Sequence, residues 1–256
     1  MADSAFGRRE TFLSSPDWLS LPWEQHPKSL LDLLFDMVLQ LPALFVKVDQ
    51  ILPLQATLAR QAHAKELLRH CLMLEGRFRL WLQEAYKATE EHPYPFWARD
   101  MRDPAGDVPF EDTYTFRDAH TSLMFLYYWM SQIPFHRCIE SLHAVVLQPA
   151  VDAYPGIWTD LPDDLQIDPA RYRDGRELAA NICRGLDSAL DSTIQPDILV
   201  APMTVALDYF REMGALCQDG VLEILWLEAF KKRLASKSQA VADVLQVHRW
   251  VEVTKF

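Results

Sequence analysis

From Gln55 to Glu91 the chain contains no proline and is rich in Ala, Leu, Glu, Gln and Arg, all good helix formers. This stretch constrains the fold more than any other. It must be one long helix, or two joined at Gly76, and its apolar stripe needs other helices to cover it. Lys28 to Gln40 supplies one candidate, with Leu30, Leu31, Leu34, Phe35, Val38 and Leu39 recurring every three or four residues. Pro42 and Pro53 bracket a shorter helix, because proline fits a first turn but not a helix interior. Helical periodicity is also predicted over 113–132, pauses at Pro134, and continues through Phe135, Ile139, Leu142, Val145 and Val146. Further helices are predicted over 176–191, 196–213, 221–236 and 239–250.

Two segments break the pattern. The first, 92–110, holds Pro93, Pro95, Pro104, Gly106 and Pro109 and reads as a long loop; the second is 148–175. No glycine-rich turn is followed by an alternating β-branched strand, which argues against an α/β nucleotide-binding fold, and no fixed-period repeat suggests a solenoid. The expected fold class is therefore all-α, one irregular multi-helix domain over 23–256 after a poorly patterned segment at 1–22. The loops near 100 and 160 are candidate subdomain boundaries, but the apolar faces on both sides favour a single packed body.

A chain of 256 residues, 50% of them hydrophobic, can bury a sizeable core without disulfides or metals. Its 25 basic and 36 acidic residues give a net charge of -11, which opposes attraction to phosphate backbones; the longest basic run is the KKR at 231–233. Cys71, Cys138, Cys183 and Cys217 form no CxxC pair and read as buried free thiols of a reducing compartment. The start MADSAFGRRE has no apolar signal core, and the longest apolar stretch, LMFLYYWM at 123–130, is too short to span a bilayer. A cytoplasmic or nuclear protein with no membrane association is expected.

Candidate chemistry is sparse. His136, Glu140 and His143 share a helix face, and Glu140 with His143 forms one Glu-x-x-His, the unit that di-iron bundles use in pairs. No second copy exists. His63, Glu66 and His70 share a face in the same way, and the sequence leaves open a site joining the two trios; a polar helix face or hydrogen-bonded core histidines is the simpler reading, so no metal is expected. Asp163, Asp164 and Asp168 sit in a proline-bounded segment and read as loop and cap acids rather than a magnesium wall. The pairs Asp32 with Asp36 and Asp187 with Asp191 read as solvent-facing. There is no G-x-S-x-G elbow, no H-E-x-x-H and no phosphate loop, and Cys183, between Ile182 and Leu186, reads as a packed thiol. No cofactor is expected.

The aromatic residues say more. Tyr114, Phe116, Phe125, Tyr127, Tyr128 and Trp129 cluster, with Phe96, Trp97, Tyr154 and Trp158 in the two irregular segments. They fit an ordinary core, a hydrophobic protein interface, or an apolar ligand cavity lined by Tyr114, Phe125, Trp129, Tyr154 and Trp158.

Three stretches carry a resemblance: WEQHPKSLLDLLFDMVLQLPALFVKVDQIL at 23–52, SLMFLYYWMSQIPFHRCIESL at 122–142, and ELAANICRGLDSALDSTIQPDILVAPMTVALDYF at 177–210. Together they resemble the C-terminal regulatory domain of fungal binuclear zinc-cluster transcription factors, especially the subgroup common beside secondary-metabolite gene clusters. The matching elements are L-P-x-L at Leu41 to Leu44, an A-x-x-I-C-R-S-like helix at Ala179 to Gly185 with glycine in place of serine, and the P-L-x-V-A-L-x-F-F-like PMTVALDYF at 202–210. The likeness covers roughly 20–235. Members typically carry a six-cysteine, two-zinc DNA-binding module; here the first cysteine is Cys71, so direct nucleic-acid binding is not expected of this chain.

The resemblance implies a regulatory domain that binds an apolar small molecule or a protein partner, with a homodimer left open. The alternative is a scaffold repurposed as a cyclase, isomerase or dehydratase acting on a polyketide-like or terpenoid intermediate. In that case His120, Tyr127, His136, Glu140 and His143 are the catalytic candidates. The histidines would shuttle protons, Glu140 would orient or act as base, and Tyr127 would donate to a carbonyl.

Overall fold

Ser29 opens the first well-formed helix with a reciprocal cap. Its hydroxyl accepts from the Asp32 amide (3.3 Å) and its own amide donates to the Asp32 carboxylate (2.9 Å). A computed structural model describes residues 15–87, 92–100, 109–153, 161–173, 175–217, 219–237, 241 and 243. Among them the helices are α1 (Pro16–Ser20), α2 (Leu30–Val38), α3 (Leu41–Ile51), α4 (Leu58–Ala85), α5 (Ala119–Leu147), α6 (Gly175–Ser192), α7 (Val200–Cys217) and α8 (Val221–Lys237). Short 3-10 turns stand at Leu21–Trp23, Asp163–Leu165, Pro169–Tyr172 and Pro196–Leu199. The architecture is all-α apart from a hairpin of β1 (Phe96–Asp100) and β2 (Asp112–Phe116). Of the helix predicted over 239–250, only Val241 and Asp243 lie among the described residues, and both are helical.

Two expectations fail locally. Residues 96–100 are a strand rather than loop, and 112–116 are a strand rather than the start of a helix, paired antiparallel with Phe96 opposite Phe116 and Ala98 opposite Tyr114. Thr113, Tyr114, Thr115 and Phe116 are β-branched or aromatic, residues that suit a pleated surface better than a helix. The helix begins at Ala119, where the Asp118 carboxylate accepts from the Thr121 amide (2.6 Å). Pro134 does not interrupt α5, which continues to Leu147. Gly76 does not divide α4 either; open space surrounds the place its Cβ would occupy.

The chain divides into two compact units, one within Met1–Leu82 and Pro134–Asp174, the other within Gln83–Ile133 and Gly175–Lys255. In the first, α2 packs on α3, and α4 turns Ala64, Leu68, Cys71, Leu74, Phe78 and Trp81 inward at three- and four-residue spacing. Phe78 meets Phe135 of α5 at 5.6 Å between ring centroids, and the Trp81 indole N–H donates to the Leu30 carbonyl (2.7 Å). Arg60 fixes the turn from α3 to α4. This buried guanidinium donates to the carbonyls of Ile51 (3.0 Å) and Leu52 (2.7 Å) and to Gln148 Oε1 (2.6 Å). The α4 N-terminus is capped from far along the chain, where Asp152 accepts from the Leu58 amide (2.8 Å).

In the second unit α6 lies against β2 and α7, and α7 against α8. Ile182, Cys183, Leu186, Ala189 and Leu190 form the buried stripe of α6. Gly220 turns the chain from α7 into α8 at φ 88°, the left-handed region that favours glycine. Among the described residues no helix is long and apolar enough to cross a membrane.

Candidate functional site

Within the second unit the sequence-predicted cavity residues Tyr114, Phe125 and Trp129 do come together. Phe96 on β1 is the hub, with ring centroids 4.8 Å from Tyr114, 5.0 Å from Phe125, 5.6 Å from Trp129 and 5.7 Å from Phe116, mostly tilted or edge-on. Tyr86 adds an edge contact to Phe125 at 5.3 Å. Phe125, Phe116 and Trp129 are buried, and such edge-to-face arrays are how aromatic cores pack. Tyr154 and Trp158 lie outside the described residues.

The ICRG stretch holds the hairpin on α6. Arg184 pairs with Asp112 (3.0 Å) and Glu177 (2.7 Å), donates to Asn181 Oδ1 (2.9 Å), and lies over the rings of Phe110 and Tyr114. The Tyr114 hydroxyl donates to the same Asn181 oxygen (2.6 Å). Gly185 makes room for β2: a Cβ there would stand 3.0 Å from Phe116 Cζ. Cys183 is buried and its thiol is pushed well up by burial, which keeps it protonated and inert. Cys71 and Cys138 are buried as expected, whereas Cys217, at the end of α7, is exposed.

The five catalytic candidates all lie on α5, in two groups. His120 is exposed in the first turn. Tyr127 is buried and donates to the Ile198 carbonyl (3.1 Å); burial, with the negative charge of Asp197 second, pushes its hydroxyl up to about 12. Both belong to the second unit. In the first unit His136 stands edge-on to Tyr172 at 5.4 Å, Glu140 pairs with Arg173 (2.9 Å), and His143 is buried, which lowers its imidazole and keeps it neutral. The Tyr172 hydroxyl donates to Glu75 (3.1 Å), and it too is pushed up to about 12, chiefly by burial and then by that carboxylate. Arg171 joins Glu75 at 3.4 Å. No three His, Cys, Asp or Glu side chains among the described residues are placed to hold a metal ion.

The acidic stretches cap and pair. Asp168 accepts from the Ala170 amide (3.0 Å), Asp164 pairs with Arg69 (2.7 Å), and Asp187 pairs with Arg233 (2.7 Å). Asp36 pairs with Lys28.

A cleft of about 400 Å³ opens instead in the first unit, between α3 and α4. Ile51, Leu54 and Leu67 give it an apolar floor, and Lys47, Gln50, His63 and Glu66 form its polar rim. Lys47, Gln50, Ile51 and Leu54 recur at three- and four-residue spacing on and just beyond α3, and His63, Glu66 and Leu67 do so on α4. None of the four rim side chains has a hydrogen-bond or ion-pair partner among the described residues, although Arg60 locks the turn joining the two helices. A small apolar floor ringed by polar groups could hold the body of a small molecule and orient its polar end.

The His63–Glu66 spacing was visible in the sequence, as two members of the His63, Glu66 and His70 face. Lys47 and Gln50 were not singled out, because a lone lysine on an amphipathic helix ordinarily faces solvent. The signal that could have found them is Leu54, an apolar side chain 53% exposed just beyond the same face. No family model, curated protein or solved structure matches the chain.

Proposed function

We propose that this chain is a helical regulatory domain of the fungal zinc-cluster type that binds an apolar-bodied small molecule in the α3–α4 cleft, in the control of a secondary-metabolite pathway. The observation that carries the reading is the cleft itself, four unengaged polar heads over Ile51, Leu54 and Leu67. The state of the acid–base candidates supports binding over turnover. Tyr127 holds its proton to about 12 and donates it to a backbone carbonyl, and Glu140 is engaged by Arg173. A general acid or base works best with a pKa near the operating pH.

The alternative, a cyclase, isomerase or dehydratase, draws on His143, whose buried imidazole is neutral and able to accept a proton. One experiment separates the two. The purified chain is incubated with a small-molecule extract of a fungal secondary-metabolite producer, and bound and free compounds are compared by mass spectrometry. Recovery of an unaltered compound from the wild type but not from Leu67→Trp, which fills the cleft, is the expected result. A new product that disappears in His143→Ala would replace this reading with the catalytic one.

A further inference from the structure

We infer that the ligand of the α3–α4 cleft is a monocarboxylate with an apolar body and a hydrogen-bond donor, a hydroxyl or amine, next to its carboxylate. The inference rests on the binding reading above and adds the chemistry of the ligand. Three of the four rim groups, Lys47, Gln50 and His63, can donate to a carboxylate oxygen. Lys47 supplies a full positive charge, and its hydrogen bond to a carboxylate is of the stronger, charge-assisted kind. Glu66 can only accept while ionised, so a ligand donor beside the carboxylate would gain from it.

The same four groups exclude other classes. A simple amine would meet Glu66 favourably but would be repelled by Lys47. A phosphate or dicarboxylate would bring a second negative charge against Glu66, in a chain whose net charge is already -11. A purely apolar molecule would use the floor alone, leave the exposed rim to water and forgo the charge-assisted contact with Lys47. The floor of Ile51, Leu54 and Leu67 then selects for a hydrocarbon or ring body, and about 400 Å³ is within the range of small-molecule sites.

The test is isothermal titration calorimetry of the whole chain with 2-hydroxyoctanoate, octanoate, 1-octanol and octylamine as probes. Affinity is expected to fall in that order. Lys47→Gln should weaken both carboxylates about fivefold, the worth of a partly screened ion pair. Glu66→Gln should leave octanoate as it was or slightly tighter and reduce the preference for 2-hydroxyoctanoate, because the remaining amide oxygen accepts more weakly than a carboxylate, and Glu66→Leu should abolish that preference. Thermal unfolding of each variant checks that its fold is unchanged. If 1-octanol or octylamine binds as tightly as 2-hydroxyoctanoate, or if Lys47→Gln leaves the carboxylates unaffected, the ligand class is wrong while the cleft remains a binding site. If no probe binds, or if Leu67→Trp leaves binding unchanged, the binding reading itself falls.

Discussion

The hairpin and the start of α5 gather aromatic rings around Phe96, and the polar groups beside them are engaged: Tyr114 with Asn181, Arg184 with Asp112 and Glu177, Tyr127 with Ile198. The α3–α4 cleft has the opposite character. Its floor is small and its four polar heads have no protein partner among the described residues. A polar group bonded to protein beside packed rings holds a structure together, while a solvated one beside an open apolar surface is free to exchange water for a ligand. The first region is built for stability, and the second is the one proposed to bind, so substitutions should separate the two.

The largest effect is expected at Phe125, fully buried, in edge contact with Phe96 and Tyr86 and tilted against Trp129. Phe125→Ala should cost about 3–5 kcal/mol, from lost transfer energy and the cavity left behind. Chemical denaturation measures it; a loss under 1 kcal/mol would mean that the rings do not form a packed core. Next is Gly185→Leu. The added side chain would enter space held by Phe116 and Leu126, and overpacking should cost about 1–3 kcal/mol. A neutral result would show that the hairpin is not seated on α6 as described.

Tyr127→Phe should cost about 1 kcal/mol, the net worth of its hydrogen bond to Ile198. It also has a pH signature. An unfolded tyrosine titrates near 10, whereas in the fold this hydroxyl is pushed up to about 12, so between those values the folded chain binds more protons than the unfolded one. Its contribution is complete below about pH 10 and is lost as pH rises through about 12. The Phe variant should lose stability less steeply over that window, with Tyr172 accounting for part of the remaining slope. Unfolding measured from pH 9 to 12 reads both effects, and an unchanged slope would remove Tyr127 from the account.

Helices were legible where period and punctuation agreed. Leu34, Val38 and Leu39 marked the face of α2, whereas its Ser29 cap was not singled out, and the choice left open at Gly76 falls to one helix because the glycine faces open space. The hairpin was hidden by Pro93, Pro95 and Pro109, which read as loop, although Phe96 to Asp100 between them is free to pair. Pro134 misled for the converse reason: it is buried inside α5, in a run where Ile133, Phe135, Cys138 and Ile139 are buried too, and the gain from burying that run outweighs the one helix bond it removes. Within ICRG only Cys183 was read as packed, and Arg184 and Gly185 show how the rest of the stretch seats the hairpin. The cleft was half legible. Period places His63 and Glu66 on one face, but period within a helix cannot say which other helix that face meets.

The smallest effect on stability is expected in the cleft itself. Lys47 and Glu66 are exposed and make no ion pair among the described residues, so Lys47→Gln and Glu66→Gln should each change unfolding free energy by less than about 0.5 kcal/mol. The two substitutions act on charges that the fold does not use, and with a ligand absent only weak, screened fields link them to the rest of the chain. Thermal unfolding with and without 2-hydroxyoctanoate gives the contrast. Without the probe the variants should coincide with the wild type; with it, the wild type alone should gain its full stabilisation, since a ligand raises stability according to its affinity for the folded chain. If Lys47→Gln destabilised the unliganded chain by more than 1 kcal/mol, Lys47 would be a structural group and the contrast between the two regions would fail at its most exposed point.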